Sequence, residues 1–198
     1  MDKVWRIGIL IFNEAEVLDI AGPFEAFSIA TNETGIKVFN VKTVAETKKI
    51  IHARNGLKIE PDYTFDDAPN FDILIVPGGY GAEEIEIHNE ILLNWIKEQA
   101  NIVEILASVC TGAFLLAKAG LLDGKKATTH WIDIDRFDKE FSNVCVQRDI
   151  KFIDEGSIIT SAGISAGINM SFHIIKRLLG IEIAKKTAKR MEYDIEII

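Results

Sequence analysis

Cys110 lies between a strand-like segment and a helix-like segment, and small residues flank it. An apolar run ends at Ala107, Ser108 and Gly112 stand two positions to either side of the cysteine, and a helical pattern begins at Ala113. This order of strand, sharp turn and helix is typical of a nucleophile elbow, which exposes one reactive side chain above a sheet. N–H groups at the start of a helix lower a thiol pKa and favour the thiolate. We therefore predict that Cys110 is a nucleophile, with a buried structural cysteine as the alternative.

Two other segments place polar groups where they can assist Cys110. Asp19 follows the first apolar run of the chain, and Gly78 and Gly79 directly follow another such run. Because the carboxyl ends of parallel strands border one crevice, we expect both segments to lie close to Cys110. A thiol, a carboxyl group and backbone N–H donors suit nucleophilic chemistry on an electrophilic carbon. The alternatives are a helix-start carboxylate for Asp19 and a plain tight turn for the glycines.

His130 is the histidine that the sequence pattern brings nearest to this chemistry. It lies in the segment 127–131, which we predict to be a short strand ending in the histidine, and its alternative role is structural. His52, His88 and His173 have no patterned neighbours, and we interpret them as structural. No set of His, Cys and carboxylate residues has the spacing of metal ligands, so we expect neither a metal site nor a cofactor.

The elements that must position these groups alternate between strands and helices. The alternation predicts an α/β fold with a doubly wound, mostly parallel sheet and helices on both faces. A turn at Asn55-Gly56 divides a short β excursion, and Pro23 is expected in the first turn of the first helix. The predicted strands are 4–12, 36–44, 71–76, 102–107, 144–146, 150–153 and 158–160, and the predicted helices end near residues 30, 99, 119, 179 and 191.

Composition limits the function classes that fit the chain. The 198 residues are 48% hydrophobic and carry a formal net charge of −8, so we expect one domain over residues 1–198 and no nucleic-acid partner. The two cysteines provide no disulfide framework. The first residues lack the apolar segment of a signal peptide, and no apolar run has membrane-spanning length. We expect no membrane partner and a cytoplasmic location.

The motifs together resemble the signatures of the ThiJ/PfpI superfamily over nearly the whole chain. This resemblance implies a class I glutamine amidotransferase-like (flavodoxin-like) fold, a reactive elbow cysteine and a homodimer. The segments that carry it are Leu10-Ile11-Phe12, Leu18-Asp19-Ile20-Ala21-Gly22-Pro23, Val76-Pro77-Gly78-Gly79, Ala107-Ser108-Val109-Cys110-Thr111-Gly112, Ala119-Gly120-Leu121-Leu122-Asp123-Gly124, Ala127-Thr128-Thr129-His130-Trp131 and residues 161–167.

Within this superfamily the chain is similar to isocyanide hydratases and to the ligand-sensing domains of AraC-type regulators. The hydratase resemblance implies that Cys110 attacks the terminal carbon of a small-molecule isocyanide. It implies that Asp19 donates a proton or orients water, and that Thr111 and Gly79 supply oxyanion-type N–H donors. The implied product is an N-substituted formamide, formed through a covalent thioimidate.

The chain differs from its relatives in three respects, and these differences limit the functions that we expect of it. Thr111 stands where intracellular proteases and amidases of the superfamily carry histidine, which disfavours peptidase activity. Asn169 stands where hydratase-like relatives tend to have aspartate. AraC-type regulators continue into a helix-turn-helix domain, and we do not expect such a domain in this sequence of 198 residues. The alternatives to a cysteine-dependent hydratase or hydrolase are a non-catalytic sensing module and a glyoxal or redox stress protein.

Overall fold

The computed structural model describes residues 3–195, and alternating strands and helices run along this part of the chain. A π-helical turn (Gly81–Ile85) and two 3₁₀ turns (Arg54–Gly56 and Glu86–His88) lie between them. The strands are β1 (Trp5–Leu10), β2 (Phe39–Ala45), β3 (Ile51–His52), β4 (Lys58–Ile59), β5 (Tyr63–Thr64), β6 (Ile73–Val76), β7 (Ile105–Ser108), β8 (Lys126–Ala127), β9 (Cys145–Val146), β10 (Phe152–Asp154) and β11 (Ile158–Ser161). The helices are α1 (Val17–Ile29), α2 (Glu90–Ala100), α3 (Gly112–Lys118), α4 (Ile134–Glu140), α5 (Ala166–Leu179) and α6 (Ile181–Arg190).

Seven strands form one sheet in the order β10-β11-β7-β6-β1-β2-β5. Every neighbouring pair is parallel except β10 and β11, which are antiparallel. In the register of the central strands, Ala107 of β7 lies opposite Ile75 of β6 and Ile159 of β11. The predicted α/β fold with a mostly parallel sheet is therefore confirmed.

The central strands are covered on both faces. All four residues of β6 and of β7 are buried, as expected when helices pack on each side of a parallel sheet. The helices form two groups, since α1, α5 and α6 contact one another while α2 contacts α3. Within residues 3–195, no helix is long and apolar enough to cross a membrane.

Helix α1 begins earlier than the sequence pattern predicts. Its first residue is Val17, so Pro23 lies inside the helix and not in its first turn. The prediction of a proline-initiated helix was wrong because α1 starts directly after the loop that leaves β1, and one missing N–H donor within it is tolerated. The consequence for the site is that Asp19 belongs to the first turn of α1.

The predicted strand over 127–131 is also shorter than expected. Only Lys126 and Ala127 pair as a strand, with β9. The next N–H group, that of Thr128, donates to the side-chain hydroxyl of Thr160 at 3.0 Å. A side-chain acceptor thus replaces a strand partner at this point, and His130 lies in irregular chain beyond it.

Candidate active site

Cys110 lies at the tip of the turn between β7 and α3. Its φ of 55° is in the left-handed region, where a non-glycine residue carries strain of about 1 to 3 kcal/mol. Hydrogen bonds hold the strained residue on both sides. Its N–H donates to the carbonyl of Ala162 at 3.2 Å, and its carbonyl accepts from the hydroxyl of Thr129 at 2.8 Å. The turn therefore has the backbone geometry of a nucleophile elbow.

The carboxyl group of Asp19 lies next to the thiol and is completely buried. Its Oδ2 accepts from the N–H of Gly78 at 2.9 Å, whereas its Oδ1 has no hydrogen-bond partner. Burial raises the pKa of Asp19 to about 8, and the negative charge of Glu16 adds to this shift. Three donors lower this pKa, namely the N–H of Gly78, the thiol of Cys110 and the N–H of Ile164. Neither the thiol nor the Ile164 N–H is placed to form a hydrogen bond with Oδ1. Asp19 therefore holds a proton at neutral pH.

The thiol of Cys110 is also buried, with 6% of the residue exposed. Burial raises its pKa, the nearby charges of Asp19 and Asp133 raise it further, and the N–H groups of Thr111 and Ile164 lower it. The net direction is opposite to the expectation from the start of α3, because desolvation outweighs the backbone donors. The repulsion from Asp19 disappears when its carboxyl group is protonated. Of the two groups, Asp19 is therefore the first to lose its proton as the pH rises.

The glycine turn after β6 positions its neighbours and does not present free donors. The N–H of Gly78 is bonded to Asp19, and the N–H of Gly79 donates to the Thr111 hydroxyl at 2.8 Å. That hydroxyl in turn donates to the carbonyl of Gly79 at 3.2 Å. A Cβ on Gly78 would lie 2.4 Å from the nitrogen of Thr111, so only glycine fits there. The expectation that Gly78 and Gly79 act as oxyanion donors is thus corrected, since both N–H groups have partners within the protein.

Ile164 is a site residue that the sequence reasoning did not single out. Its backbone N–H faces both the Cys110 thiol and the Asp19 carboxyl group. It has a φ of 52°, which is rare for a β-branched residue. No residue-level pattern indicates such a conformation, and the available signal was only that small residues surround it at 161–167. The N–H groups of Thr111 and Ile164 are the donors that face the sulfur.

A cleft of about 650 Å³ borders the residues that hold Cys110. Its walls are the segments 128–131, 148–151 and 162–166 together with Ile134. His130 lines it, whereas the side chain of Trp131 stands at its edge with 75% of the residue exposed. Cys110 itself does not line the cleft, but Ala162 and Thr129 contact both. The cleft can therefore hold a small molecule beside the elbow.

A family model that describes the DJ-1/PfpI family matches residues 5–177 of the chain. The chain belongs to the DJ-1/PfpI family. The resemblance predicted from the motifs is confirmed, because this match spans both the elbow and the cleft.

Among curated relatives of this DJ-1/PfpI chain are an enzyme and a regulator. The isonitrile hydratase of Pseudomonas putida is 31% identical over 188 residues, which cover 95% of the chain and 78% of the relative. The HTH-type transcriptional regulator GbdR of Pseudomonas aeruginosa is 29% identical, again over 95% of the chain but over 50% of the regulator. The chain thus spans about half the length of that regulator.

Solved structures give the same fold. A THiJ/PfpI family protein from Pseudomonas syringae superposes with a TM-score of 0.82 at 25% identity, covering 99% of the chain and 78% of that structure. DJ-1beta of Drosophila melanogaster also has a TM-score of 0.82, at 19% identity, and covers 98% of the chain and 100% of that structure.

Two features of the DJ-1/PfpI chain bear on cofactors and on its departures from relatives. Among residues 3–195, no group of three or more His, Cys, Asp or Glu side chains is arranged to hold a metal ion. Asn169 lies in α5, and its side-chain Oδ1 is buried without a hydrogen-bond partner. The structure gives no chemical role to this residue.

Proposed function

We propose that the protein is a cysteine-dependent hydratase or hydrolase that acts on a small electrophilic molecule, with isocyanides as the substrate class. The observation that carries the proposal is the buried Asp19 carboxyl group beside Cys110, protonated at neutral pH and with one oxygen free of hydrogen bonds. A proton donor next to a nucleophile is what addition to an isocyanide carbon requires. The relative named isonitrile hydratase supports the same chemistry.

The proposed first step is addition of the thiol across the terminal carbon of the isocyanide, R–N≡C. The form of the pair that reacts is the one in which the thiol has lost its proton and Asp19 keeps its own. The sulfur of Cys110 forms a bond to the carbon, and the proton of Asp19 moves to the same carbon. This gives a thioimidate, R–N=CH–S–Cys. The N–H groups of Thr111 and Ile164 favour the thiolate because they face the sulfur.

The proposed second step is hydrolysis of the thioimidate. Water adds its oxygen to the carbon, and one of its protons moves to the substrate nitrogen. The remaining hydroxyl proton passes to the Asp19 carboxylate while the C=O bond forms and the C–S bond breaks. The products are an N-substituted formamide, R–NH–CHO, and the original pair of thiolate and carboxylic acid, so atoms and charges balance.

A second candidate function is a sensing module that binds a small molecule without turnover. It is favoured by the similarity to the regulator GbdR and by a cleft that Cys110 borders but does not line. A glyoxal or redox stress protein is a third candidate; the raised pKa of Cys110 disfavours a thiol that is ionised in the resting protein, as reactive sensor thiols are. Peptidase activity has least support, since the Thr111 hydroxyl is bonded to Gly79 and provides no base.

A turnover assay with a matched cysteine control tests the proposal. The two variants are Cys110→Ala and Cys145→Ala, the latter at an exposed thiol on β9. With an aryl isocyanide as the probe, we expect formamide production by the unmodified protein and by Cys145→Ala, and a loss of at least about 10³-fold in Cys110→Ala. Saturable binding of the isocyanide with no formamide would favour the sensing module. Equal turnover by both variants would refute Cys110 as the nucleophile.

A homodimer and a cytoplasmic location complete the proposal. The dimer is supported by the family resemblance and by exposed apolar side chains beside the cleft, where Trp131 is 75% and Ile132 is 63% exposed. A reducing location would keep Cys110 as a thiol. Light scattering after size-exclusion chromatography tests the dimer, and a monomer at micromolar concentration would contradict it.

A further inference from the structure

A hydrogen bond joins the side chains of Glu83 and Asp133, which belong to different segments of the chain. Glu83 lies in the π-helical turn that follows the glycine turn, and Asp133 directly precedes α4. The two side chains are 17% and 21% exposed, so water screens the pair only in part. Two ionised carboxylates in such contact repel each other, whereas one shared proton makes a strong hydrogen bond. The contact is therefore stable only while Glu83 is a carboxylic acid.

The nearby cation does not replace this proton. Nη1 of Arg136 lies 3.3 Å from a carboxyl oxygen of Glu83 but 2.6 Å from Glu84, and its Nε lies 2.8 Å from Glu140. One guanidinium thus serves three carboxyl groups, and Glu83 has the longest of the three contacts. Burial raises the pKa of Glu83 to about 7, the charges of Asp133 and Glu84 contribute to this rise, and Arg136 opposes it.

The imidazole of His130 also faces Asp133, but its neutral form offers no proton there. Its Nδ1 lies 3.4 Å from Oδ2 of Asp133 and accepts from the backbone N–H of Ile132, also at 3.4 Å. In a neutral ring, a nitrogen that accepts from an N–H carries no proton of its own. Glu83 is therefore the donor that Asp133 has in the neutral state of the ring.

The Glu83 side of the pair is connected to the elbow. The backbone N–H of Glu83 donates to the carbonyl of Gly79 at 3.3 Å. The same carbonyl accepts from the hydroxyl of Thr111 at 3.2 Å, and Thr111 directly follows Cys110. The position of Glu83 is thus fixed by the turn that supports the elbow.

The Asp133 side is connected to the wall of the cleft. The backbone N–H of Asp133 donates to the carbonyl of His130 at 3.0 Å, and His130 and Trp131 both line the cleft. Between the end of β8 at Ala127 and the start of α4 at Ile134, the chain contains turns and irregular backbone but no helix or strand. A side-chain contact at Asp133 therefore anchors a segment that has no regular secondary structure of its own.

We propose that Glu83 and Asp133 form a proton-held clasp, in which Glu83 is a positioning residue that fixes the cleft wall 128–131 against the turn supporting the elbow. The clasp is closed while Glu83 donates its proton to Asp133, and it opens when that proton passes to water. Because the folded-state pKa of Glu83 lies above the ordinary value of a glutamate, the stability from this contact is present at low pH. It is lost as the pH rises through about 7.

Hydrogen exchange read by mass spectrometry tests the clasp without any ligand. The proteins compared at pH 6 and pH 8 are the unmodified protein, Glu83→Gln, whose amide N–H donates to Asp133 at either pH, and Glu83→Ala, which has no donor. The measured quantity is the protection factor of the peptide 128–137, which is corrected for the intrinsic effect of pH on exchange. In the unmodified protein we expect about 10-fold less protection at pH 8 than at pH 6. We expect no such change in Glu83→Gln, and low protection at both pH values in Glu83→Ala.

Two controls separate Glu83 from its neighbours. Glu84→Gln alters the adjacent carboxyl group, which pairs with the same arginine, and His130→Gln removes the nearby imidazole. Both variants should keep the loss of protection between pH 6 and pH 8. Equal protection of the unmodified protein at the two pH values would overturn the inference, and so would a pH-dependent loss that persists in Glu83→Gln.

A kinetic measurement relates the clasp to ligand binding, and this part rests on the proposed function. Because the clasp positions the wall of the cleft and does not touch the sulfur, Glu83→Ala should raise KM for the aryl isocyanide about 10-fold at pH 6 with kcat nearly unchanged. Glu83→Gln should retain the KM of the unmodified protein. A lower kcat with unchanged KM in Glu83→Ala would overturn the positioning role. Absence of turnover in all of these proteins, with the exchange results as expected, would refute the proposed function and support the clasp.

Discussion

Replacing Asp19 with asparagine should change how the stability of the protein depends on pH. In the folded protein, burial raises the pKa of Asp19 to about 8, whereas in the unfolded chain an aspartate ionises near pH 3.9. Between these values the folded state keeps a proton that the unfolded state has released, so the stability contributed by this group falls as the pH rises. Asparagine has the same shape and does not titrate, so Asp19→Asn lacks this dependence.

The expected magnitude follows from linkage. Each pH unit inside this window corresponds to about 1.4 kcal/mol, so from pH 5 to pH 7 the unfolding free energy of the unmodified protein should fall by about 2.7 kcal/mol relative to Asp19→Asn. The thiol of Cys110 does not contribute, because it stays protonated in both states over this range. Glu83 titrates in both proteins, and its effect cancels in the difference.

Urea denaturation at pH 5, 6 and 7 measures this difference, with Asp66→Asn as a control at an exposed carboxylate. The unfolding free energy of Asp66→Asn should change with pH by the same amount as that of the unmodified protein. If the unfolding free energy of Asp19→Asn also changed by this amount, the Asp19 carboxyl group of the unmodified protein would already be ionised at pH 5 in the folded state. It would then have no proton to donate at neutral pH, and the reasoning that gives it that role would be refuted.

Two further predictions concern the glycine turn and the far edge of the sheet. Gly78→Ala should destabilise the protein by about 3 kcal/mol, because the added Cβ meets backbone nitrogens of Thr111 and Gly112. Gly124→Ala, where the added Cβ meets nothing within 4 Å, should cost about 1 kcal/mol for its φ of 72° in the same urea assay, and equal losses would contradict the argument. Asp154→Asn should cost about 1 kcal/mol at pH 7, since burial alone would raise the pKa of Asp154 but hydrogen bonds from His173 and Gly156 and the charge of Arg177 lower it. A folded-state pKa below the unfolded value gives stability that is lost as the pH falls through it, so the thermal melts of the two proteins should converge at acid pH. A gap independent of pH would exclude this ion pair as its source.

The sequence was sufficient to predict the alternation of strands and helices, because buried parallel strands leave long apolar runs such as the one that ends at Ala107. It was also sufficient to predict that Asp19, the glycine turn and Cys110 meet, since parallel strands bring their carboxyl ends to one edge of the sheet. The hairpin around Asn55 was predicted from its turn residues, and its strands pair as expected. These features depend on local patterns and on topology.

Features that depend on tertiary packing were not predictable in this way. Helix α4 was missed because its seven residues are mostly charged, with only Ile134 and Phe137 buried. The direction of the thiol pKa was predicted from the start of α3 alone, whereas the depth of burial decides it. The partners of the Gly78 and Gly79 N–H groups come from distant segments, so their engagement became visible only in the folded chain.

The hydrogen bond between Asp19 and Gly78 joins residues 59 positions apart, and the bond between Gly79 and Thr111 joins residues 32 positions apart. Contacts of such sequence separation form late, since the entropy of closing long loops opposes them until the sheet has assembled. In a partly folded chain the cysteine is therefore present without Asp19 beside it. The pairing of thiol and carboxylic acid at the elbow is thus a property of the completed fold, and no local segment of the chain can provide it alone.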